Sequence, residues 1–147
     1  MVSNLPISTS RIFVDASVLF AATHSPRGSA RDLIEAGIRG HVTLVLSPFV
    51  IQEIRRNLLS KAPEALSLFE AFLAPGLLLI VQPSSALVQH VAAVIVLKDA
   101  PVVAGAIDAG ATVVATYDRK HLLTKRGEIF AAFGVTMATP GEILAGL

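Results

Sequence analysis

The chain has 147 residues, which is the size of one folding domain, and we expect residues 1–147 to form a single domain. Its 12 basic and 11 acidic residues give a net charge of +1, which excludes a generally polybasic nucleic-acid coat but not a local basic patch. The sequence has no cysteine, no secretory signal pattern and no apolar run of the roughly 18 residues that a membrane span needs. These features predict a cytoplasmic protein without disulfides or a membrane anchor.

Short β-branched runs alternate with helical stretches along the chain. The predicted strands are, in chain order, 11–15, 42–47, 77–82, 111–116 and 134–138. The predicted helices lie between these runs, at 29–40, 47–61, 63–74, 84–97, 100–111 and 125–133. Strands this apolar, separated by helices, are typical of a parallel sheet that is covered on both faces, so the pattern predicts an α/β fold.

Four acidic residues follow predicted strands or open predicted helices at one edge of this sheet. Asp15 comes directly after the first strand, and Asp118 lies two residues after the fourth. Glu53 is in the second turn of the helix that follows the second strand, and Asp99 opens the helix that leads into the fourth. Because ligands bind beyond the carboxyl ends of the strands in open parallel sheets, these four carboxylates can converge.

The other seven acidic residues have simpler interpretations. Asp108 lies nine residues after Asp99 on one predicted helix, so it points to the other side and lies about 13 Å further along the axis. It is also near a helix C-terminus, where a negative charge is unfavourable, and we predict that it is a surface residue. The remaining six are expected on the solvated faces of amphipathic helices: Asp32, Glu35, Glu64, Glu70, Glu128 and Glu142.

Each of the four candidates also has a structural interpretation. Asp99 can cap a helix N-terminus, Asp118 can be a turn residue in "TYDRKH", and Glu53 can belong to a charged helix face. Asp15 is harder to explain in this way because it is flanked by apolar residues, and a buried carboxylate without a partner is costly.

Four carboxylates at one strand edge would repel one another unless they shared a cation. Hard oxygen ligands without cysteine favour Mg²⁺ or Mn²⁺ over zinc, and the four histidines of the chain show no spacing typical of zinc ligands. Such a metal contacts substrate phosphates and activates water for in-line attack, so His121 is interpreted as structural rather than as a general base. The sequence therefore predicts a Mg²⁺ or Mn²⁺ site formed by Asp15, Glu53, Asp99 and Asp118.

The motifs "IFVDASVLFAA", "LVLSPFVIQEIRR", "KDAPVVAGAIDAGATVVATYDRKHLL" and "FGVTMATPGEIL", in this order, resemble the PIN-domain nucleases. The resemblance implies a three-layer αβα sandwich with a central parallel sheet of about five strands, and metal-dependent hydrolysis of phosphodiester bonds, usually in RNA. It maps the family's acids onto the same four residues, Asp15, Glu53, Asp99 and Asp118, and its supporting hydroxyl onto Thr116. Many small members resemble toxins of toxin–antitoxin pairs, so the partners it implies are RNA, an antitoxin protein and a second copy of the chain.

Two positions depart from the family's pattern. Ser17 stands where Asn is frequent, and its hydroxyl can still hydrogen-bond a ligand or water. Tyr117 stands where Gly is frequent, and its ring either stacks on a base or packs at the strand end. Arg119 and Lys120 follow Asp118 and are candidate contacts to an RNA phosphate, although solvated loop positions explain them too.

Other functions require different patterns at the first strand. A phospho-receiver needs an acidic pair near this strand and a lysine that closes the site. A phosphatase with an aspartyl nucleophile needs a second Asp two residues after Asp15, where Ser17 stands. A non-catalytic module of the same fold that binds nucleic acid or protein stays open, and the presence of all four acids argues against it.

Overall fold

A single parallel sheet forms the centre of the protein, in a computed structural model that describes residues 11–74, 78–96 and 98–146. Within these residues the strands are β1 (Arg11–Val14), β2 (Thr43–Leu46), β3 (Leu79–Ile80), β4 (Val113–Ala115) and β5 (Thr136–Ala138). Their order across the sheet is β3-β2-β1-β4-β5, and each pairing is parallel. The five predicted strands are thus confirmed, and each is shorter than its apolar run in the sequence.

The helices of the described residues are α1 (Ala16–His24), α2 (Ser29–Ile38), α3 (Pro48–Lys61), α4 (Leu66–Phe72), α5 (Ser85–Ala92), α6 (Ala100–Asp108), α7 (Arg126–Phe133) and α8 (Pro140–Ala145). The six predicted helices are among them. The α5 helix is shorter than predicted and ends at Ala92, before the β-branched residues 94–96, which have low helix propensity. Within the described ranges, no helix combines the length and the apolar character that crossing a membrane requires.

Helices cover both faces of the sheet, and two close contacts define these faces. The register pairs Ile12 with Leu44, so their side chains share one face, while Phe13 points to the other. On the first face a Cβ at Gly37 of α2 would lie 2.5 Å from Leu44, and on the second a Cβ at Gly105 of α6 would lie 2.6 Å from Phe13. The two glycines thus let α2 and α6 pack closely on opposite faces of the sheet. Helices on both faces of one sheet make the predicted three-layer αβα sandwich.

Polar residues follow four of the strands at the carboxyl edge of the sheet. Ser47 after β2 caps α3 through its hydroxyl, and Thr139 after β5 forms a capping box with Glu142 at the start of α8. Asp15 after β1 and Thr116 after β4 make no helix-capping hydrogen bond. The side chains at the middle of this edge are therefore available for another role.

Candidate active site

One cavity of about 260 Å³ at the carboxyl edge of the sheet is lined by all four predicted acids, Asp15, Glu53, Asp99 and Asp118. Its walls come from the junction of β1 and α1, from α3, from the start of α6 and from the loop after β4. Asp108 lies outside this cavity, as predicted. It is exposed and accepts a hydrogen bond from the backbone N–H of Ser84 at 2.8 Å, which links the end of α6 to the start of α5.

Asp15 is buried, with 7% of its surface exposed, and is held by two hydroxyl groups. Its Oδ2 accepts hydrogen bonds from Ser17 Oγ at 2.9 Å and Thr116 Oγ1 at 2.8 Å. Burial raises the pKa of Asp15 and the charge of Asp118 adds to this effect, while the two hydroxyl hydrogen bonds lower the pKa. The carboxylate is therefore fixed in orientation at a position where its negative charge is unfavourable.

The two hydroxyls also hold the loop that carries Asp118. Thr116 Oγ1 accepts a hydrogen bond from the Asp118 N–H at 2.9 Å, and Ser17 Oγ accepts one from the Tyr117 N–H at 3.0 Å. Asp118 Oδ1 in turn accepts a hydrogen bond from the backbone N–H of His121 at 2.9 Å. Ser17 and Thr116, both predicted to support the site, thus connect the end of β1 to the loop after β4.

Asp99 occupies the N-cap position of α6, yet its side chain makes no capping hydrogen bond. Its Oδ2 is buried and has no hydrogen-bond partner in the described part of the chain. His121 Nδ1 lies 3.8 Å from this oxygen, which is too far for a hydrogen bond. Burial raises the pKa of Asp99, Asp118 raises it further, and His121 lowers it. The capping interpretation therefore does not explain this side chain, and a buried oxygen without a partner requires another explanation.

Glu53 reaches the cavity from α3 and is half-buried. Burial raises its pKa, and so does the charge of Asp15, while Lys98 and Arg56 lower it. Arg55, its near neighbour in sequence, instead forms a bidentate ion pair with Glu70 of α4, with both N–O distances at 2.8 Å. Asp15 and Lys98, which shift the pKa of Glu53, both line the cavity, so Glu53 is electrostatically coupled to it.

The set of oxygen donors fits a hydrated divalent cation. Within the described residues no three Asp, Glu or His side chains are close enough together to hold an ion without rearrangement. Mg²⁺ does not require three preformed protein ligands, because it usually keeps several waters and takes one or two carboxylates together with substrate phosphates. The partnerless Oδ2 of Asp99 is a free ligand atom for such an ion. The residues therefore fit Mg²⁺ or Mn²⁺, and the metal-ligand roles of the four acids stay a prediction.

Five further residues line the cavity, and none of them was predicted from the sequence to do so: Ala16, Phe49, Asn57, Lys98 and Val102. Phe49 and Asn57 are four residues before and after Glu53 on α3, so helical spacing places all three on one face and was a usable signal. Lys98 directly precedes Asp99. Its positive charge lowers the pKa of both Glu53 and Asp99.

The other predicted residues lie around this cavity rather than in it. Arg119 and Lys120 are exposed, and their side chains make no hydrogen bond or ion pair within the described ranges. Tyr117 is 39% exposed, burial raises the pKa of its hydroxyl, and both interpretations of its ring stay predictions. His121, interpreted from the sequence as structural, lies beside Asp99.

The fold and the cavity together define a class of protein: a parallel αβα sandwich with carboxylates gathered at the carboxyl edge of its central strands. The sequence itself identifies the family within this class. The family model described as PIN domain matches residues 12–127, and the chain belongs to the PIN domain family. The resemblance that the motifs indicated is confirmed.

Several solved structures share this fold at low sequence identity. VapBC2 from Rickettsia felis, bound to a DNA fragment from its promoter, is 15% identical, with a TM-score of 0.63 over 88% of this chain and 98% of that one. PAE2754 from Pyrobaculum aerophilum is 20% identical, with a TM-score of 0.60 over 93% and 96%. VapC20 from Mycobacterium tuberculosis, a toxin that cleaves the sarcin–ricin loop, is 17% identical, with a TM-score of 0.56 over 82% and 94%. No curated protein matched the chain significantly.

Proposed function

We propose that this protein is a metal-dependent endoribonuclease that uses Mg²⁺ or Mn²⁺. The observation that carries the proposal is the cavity itself, where Asp15, Glu53, Asp99 and Asp118 meet and the buried Oδ2 of Asp99 has no hydrogen-bond partner. Burial, together with repulsion between the carboxylates, raises the pKa of Asp15, Glu53 and Asp99, and a bound cation would offset both effects. Membership of the PIN domain family supports the same reaction class.

The four acids would provide the carboxylates for the ion and its bound waters, and the surrounding residues would prepare the site. A bound Mg²⁺ or Mn²⁺ would supply an activated water and stabilise negative charge on the phosphate. Ser17 and Thr116 fix the Asp15 carboxylate, and Thr116 also sets the distance between Asp15 and the loop of Asp118. Lys98 lines the cavity with a positive charge that can contact a phosphate oxygen of the substrate.

We further propose that the protein is the toxin of a toxin–antitoxin pair and acts on RNA in the cytoplasm. The similar structures support this role, because one is a VapBC complex on promoter DNA and another is a toxin that cleaves the sarcin–ricin loop. An antitoxin protein is then the expected inhibitor. Coexpression of the adjacent reading frame should relieve growth arrest caused by this chain, and failure of every neighbouring frame to do so would count against the toxin role.

A homodimer is part of the proposal because large apolar side chains remain exposed. Leu59 is 61% exposed and Ile80 is 50% exposed, and further examples lie on several elements: Ile38, Leu68, Leu79, Val94 and Val96. Apolar surface of this kind is often covered by a partner. Sedimentation should therefore give a dimer at micromolar concentration, and a monomer throughout the accessible range would contradict this part.

Two variants at opposite ends of α6, one at its N-cap and one at its last residue, test the nuclease proposal directly through their cleavage of RNA. Asp99→Asn removes a carboxylate from the cavity, while Asp108→Asn removes one from the other end of the same helix and can keep the hydrogen bond to Ser84. With Mn²⁺ and a single-stranded RNA, we expect wild type and Asp108→Asn to cleave and Asp99→Asn to be strongly impaired. Equal binding of RNA by all three proteins without cleavage would favour the non-catalytic module of the same fold.

A further inference from the structure

A second cavity of about 360 Å³ lies beside the acid cavity, and Phe49 forms a wall of both. It is an open cavity bordered by the starts of α3 and α6, by α5 and by the loop before α5, and it is lined by Phe49, Gln82, Pro83, Ser85, Val88, Gln89 and Pro101. Unlike the acid cavity, it has no charged side chain in its lining. The two cavities thus differ in chemistry while sharing one aromatic ring.

The polar side chains of the second cavity are the exposed amides of Gln82 and Gln89 and the exposed hydroxyl of Ser85. The Gln82 amide makes only a 3.5 Å contact with the Pro83 carbonyl oxygen, and the Gln89 amide makes no hydrogen bond in the described part of the chain. Each amide offers both donors and an acceptor. Apolar walls with free amides at the opening suit a flat, uncharged ligand that has hydrogen-bonding groups along its edge.

We propose that this cavity binds one nucleobase of single-stranded RNA, next to the phosphate that the acid cavity receives, with Phe49 as the stacking ring. The inference rests on the proposed ribonuclease function. Proteins read single-stranded RNA by stacking bases on aromatic rings and by hydrogen bonds to the base edges. The cavity is at the small end of the range of about 300–1,000 Å³ for ligand pockets, which suits a single ring system rather than a longer ligand.

The start of α3 holds Phe49 in place for this role. Ser47 caps the helix through a hydrogen bond to the Val50 N–H at 3.3 Å, and Pro48 occupies the first helical position. Phe49 is 36% exposed and lies four residues before Glu53, so one face of the helix presents both the ring and the carboxylate. A base stacked on Phe49 would therefore fix the position of the adjoining phosphate relative to the acids.

The absence of tryptophan from the sequence makes this stacking measurable. Phe49→Trp introduces a single tryptophan at the proposed site, and Phe130→Trp introduces one at an exposed phenylalanine of α7 that lines neither cavity. Both variants would be prepared with Asp15→Asn to prevent cleavage and titrated with a short single-stranded RNA in Mg²⁺. We expect RNA to quench the fluorescence of Phe49→Trp and to leave Phe130→Trp nearly unchanged. An abasic strand of the same length should quench neither.

Removal of the ring gives a second measurement. Phe49→Leu keeps an apolar side chain, and we expect it to weaken RNA affinity by roughly five- to a hundredfold, the range for loss of one stacked base. Phe130→Leu should bind RNA like the protein with Phe130 intact. Equal quenching of the two tryptophan variants, or unchanged affinity in Phe49→Leu, would overturn the proposal. Loss of a dimer in Phe49→Leu with unchanged affinity would identify the cavity as a subunit interface and would overturn it too.

These outcomes separate the subsite from the nuclease proposal. If wild-type protein cleaves RNA and Phe49→Leu cleaves the same strand with the same KM, the subsite is wrong and the nuclease function stands. If RNA quenches Phe49→Trp as expected but wild-type protein cleaves nothing with Mg²⁺ or Mn²⁺, the subsite stands and the nuclease function is wrong.

Discussion

The two sides of the acid cavity hold their carboxylates in different ways. On the sheet side, Asp15 accepts two hydroxyl hydrogen bonds, and Asp118 accepts one from a backbone N–H within its own loop. On the helix side, Asp99 has a buried oxygen without a partner, and Glu53 makes no side-chain hydrogen bond within the described residues. Hydrogen bonds within the protein thus orient the carboxylates of the sheet side. The carboxylates of the helix side lack such bonds, so their orientation depends on what binds in the cavity. Changes on the sheet side should therefore reduce catalysis most, and changes on the helix side should also alter the stability of the metal-free protein.

Asp15→Asn should cause the largest loss of activity. Asn is close in size and can accept the hydrogen bonds from Ser17 and Thr116, so the fold should survive while the charge is lost. Metal activation of water contributes several kcal/mol, so the rate of RNA cleavage should fall by roughly a hundredfold or more. Initial rates with Mn²⁺ measure this, with Asp32→Asn on the exposed face of α2 as the control. A less stable variant that cleaves at the wild-type rate would make Asp15 a structural residue.

Thr116→Val should cause the next largest loss. Val has nearly the same shape, but it removes the hydroxyl that donates to Asp15 and accepts from the Asp118 N–H. Loss of a group that orients a metal ligand typically reduces activity by about 10–100-fold. The unpaired N–H should also lower the free energy of unfolding by about 1–3 kcal/mol. Cleavage rates and urea unfolding measure the two effects.

Two further variants distinguish positioning from general destabilisation at Thr116. Thr116→Ser keeps the hydroxyl and should recover most of the activity. Thr23→Val removes another buried hydroxyl, one that bonds the Leu19 carbonyl oxygen in α1 at 2.9 Å, and should leave the cleavage rate unchanged. If Thr23→Val and Thr116→Val lose activity in proportion to stability alone, Thr116 has no special role at the site.

The sequence predicted the sheet side more fully than the helix side. Asp15 and Asp118 follow strands, and the topology of a parallel sheet alone brings the ends of strands together. Glu53 and Asp99 were predicted at the same edge. That their side chains lack hydrogen-bond partners depends on the tertiary structure, which spacing in the sequence does not reveal. The Arg55–Glu70 pair is tertiary as well, since it joins α3 to α4 across 15 residues.

Two helices, α1 and α8, lie outside the predicted helix ranges, and at α1 the physical reason is a related one. The α1 helix was not predicted because Ala16, Val18, Leu19 and Ala22 are all buried, so its sequence lacks the polar face that marks an amphipathic helix. Cavity residues were missed where their side chains look ordinary in sequence. From the sequence alone, Asn57 on α3 is interpreted as a solvated polar residue, whereas in the structure it lines the cavity of the four acids.

Asp99→Asn should stabilise the metal-free protein at neutral pH. Because burial raises the pKa of Asp99, the native protein binds more protons than the unfolded chain between the ordinary and the raised pKa. The free energy of unfolding therefore falls as pH rises through this window. This loss of stability, the penalty for ionising Asp99 in the folded protein, persists at neutral pH. The variant lacks this penalty, so its Tm in EDTA should exceed that of wild type at pH 7.5, by roughly 2–4 °C for each kcal/mol.

Acid and metal should each remove this difference in Tm. At roughly pH 3 or below, under the ordinary pKa of Asp, the carboxyl group is mostly protonated in both states of the wild-type protein, so the two Tm values should converge. Mn²⁺ at neutral pH should raise the Tm of wild type more than that of Asp99→Asn, because it binds the native site. If the difference in Tm between the two proteins widened as the pH fell, the upward direction of the pKa shift of Asp99 would be wrong.

The smallest expected effects concern the basic residues outside the cavity. Arg119 and Lys120 are exposed with free side chains, whereas Arg55 is held by Glu70 in an exposed ion pair. If Arg119 and Lys120 contact RNA phosphates, each change to Gln should reduce the slope of log affinity against log salt by about 0.7. Arg55→Gln should leave this slope unchanged and lower the free energy of unfolding by only about 0.2–1 kcal/mol. Salt titrations of RNA binding by these variants, combined with Asp15→Asn, measure the slopes. A reduced slope in Arg55→Gln alone would place the phosphate path along α3 instead of the loop after β4, because only a released counterion changes the slope.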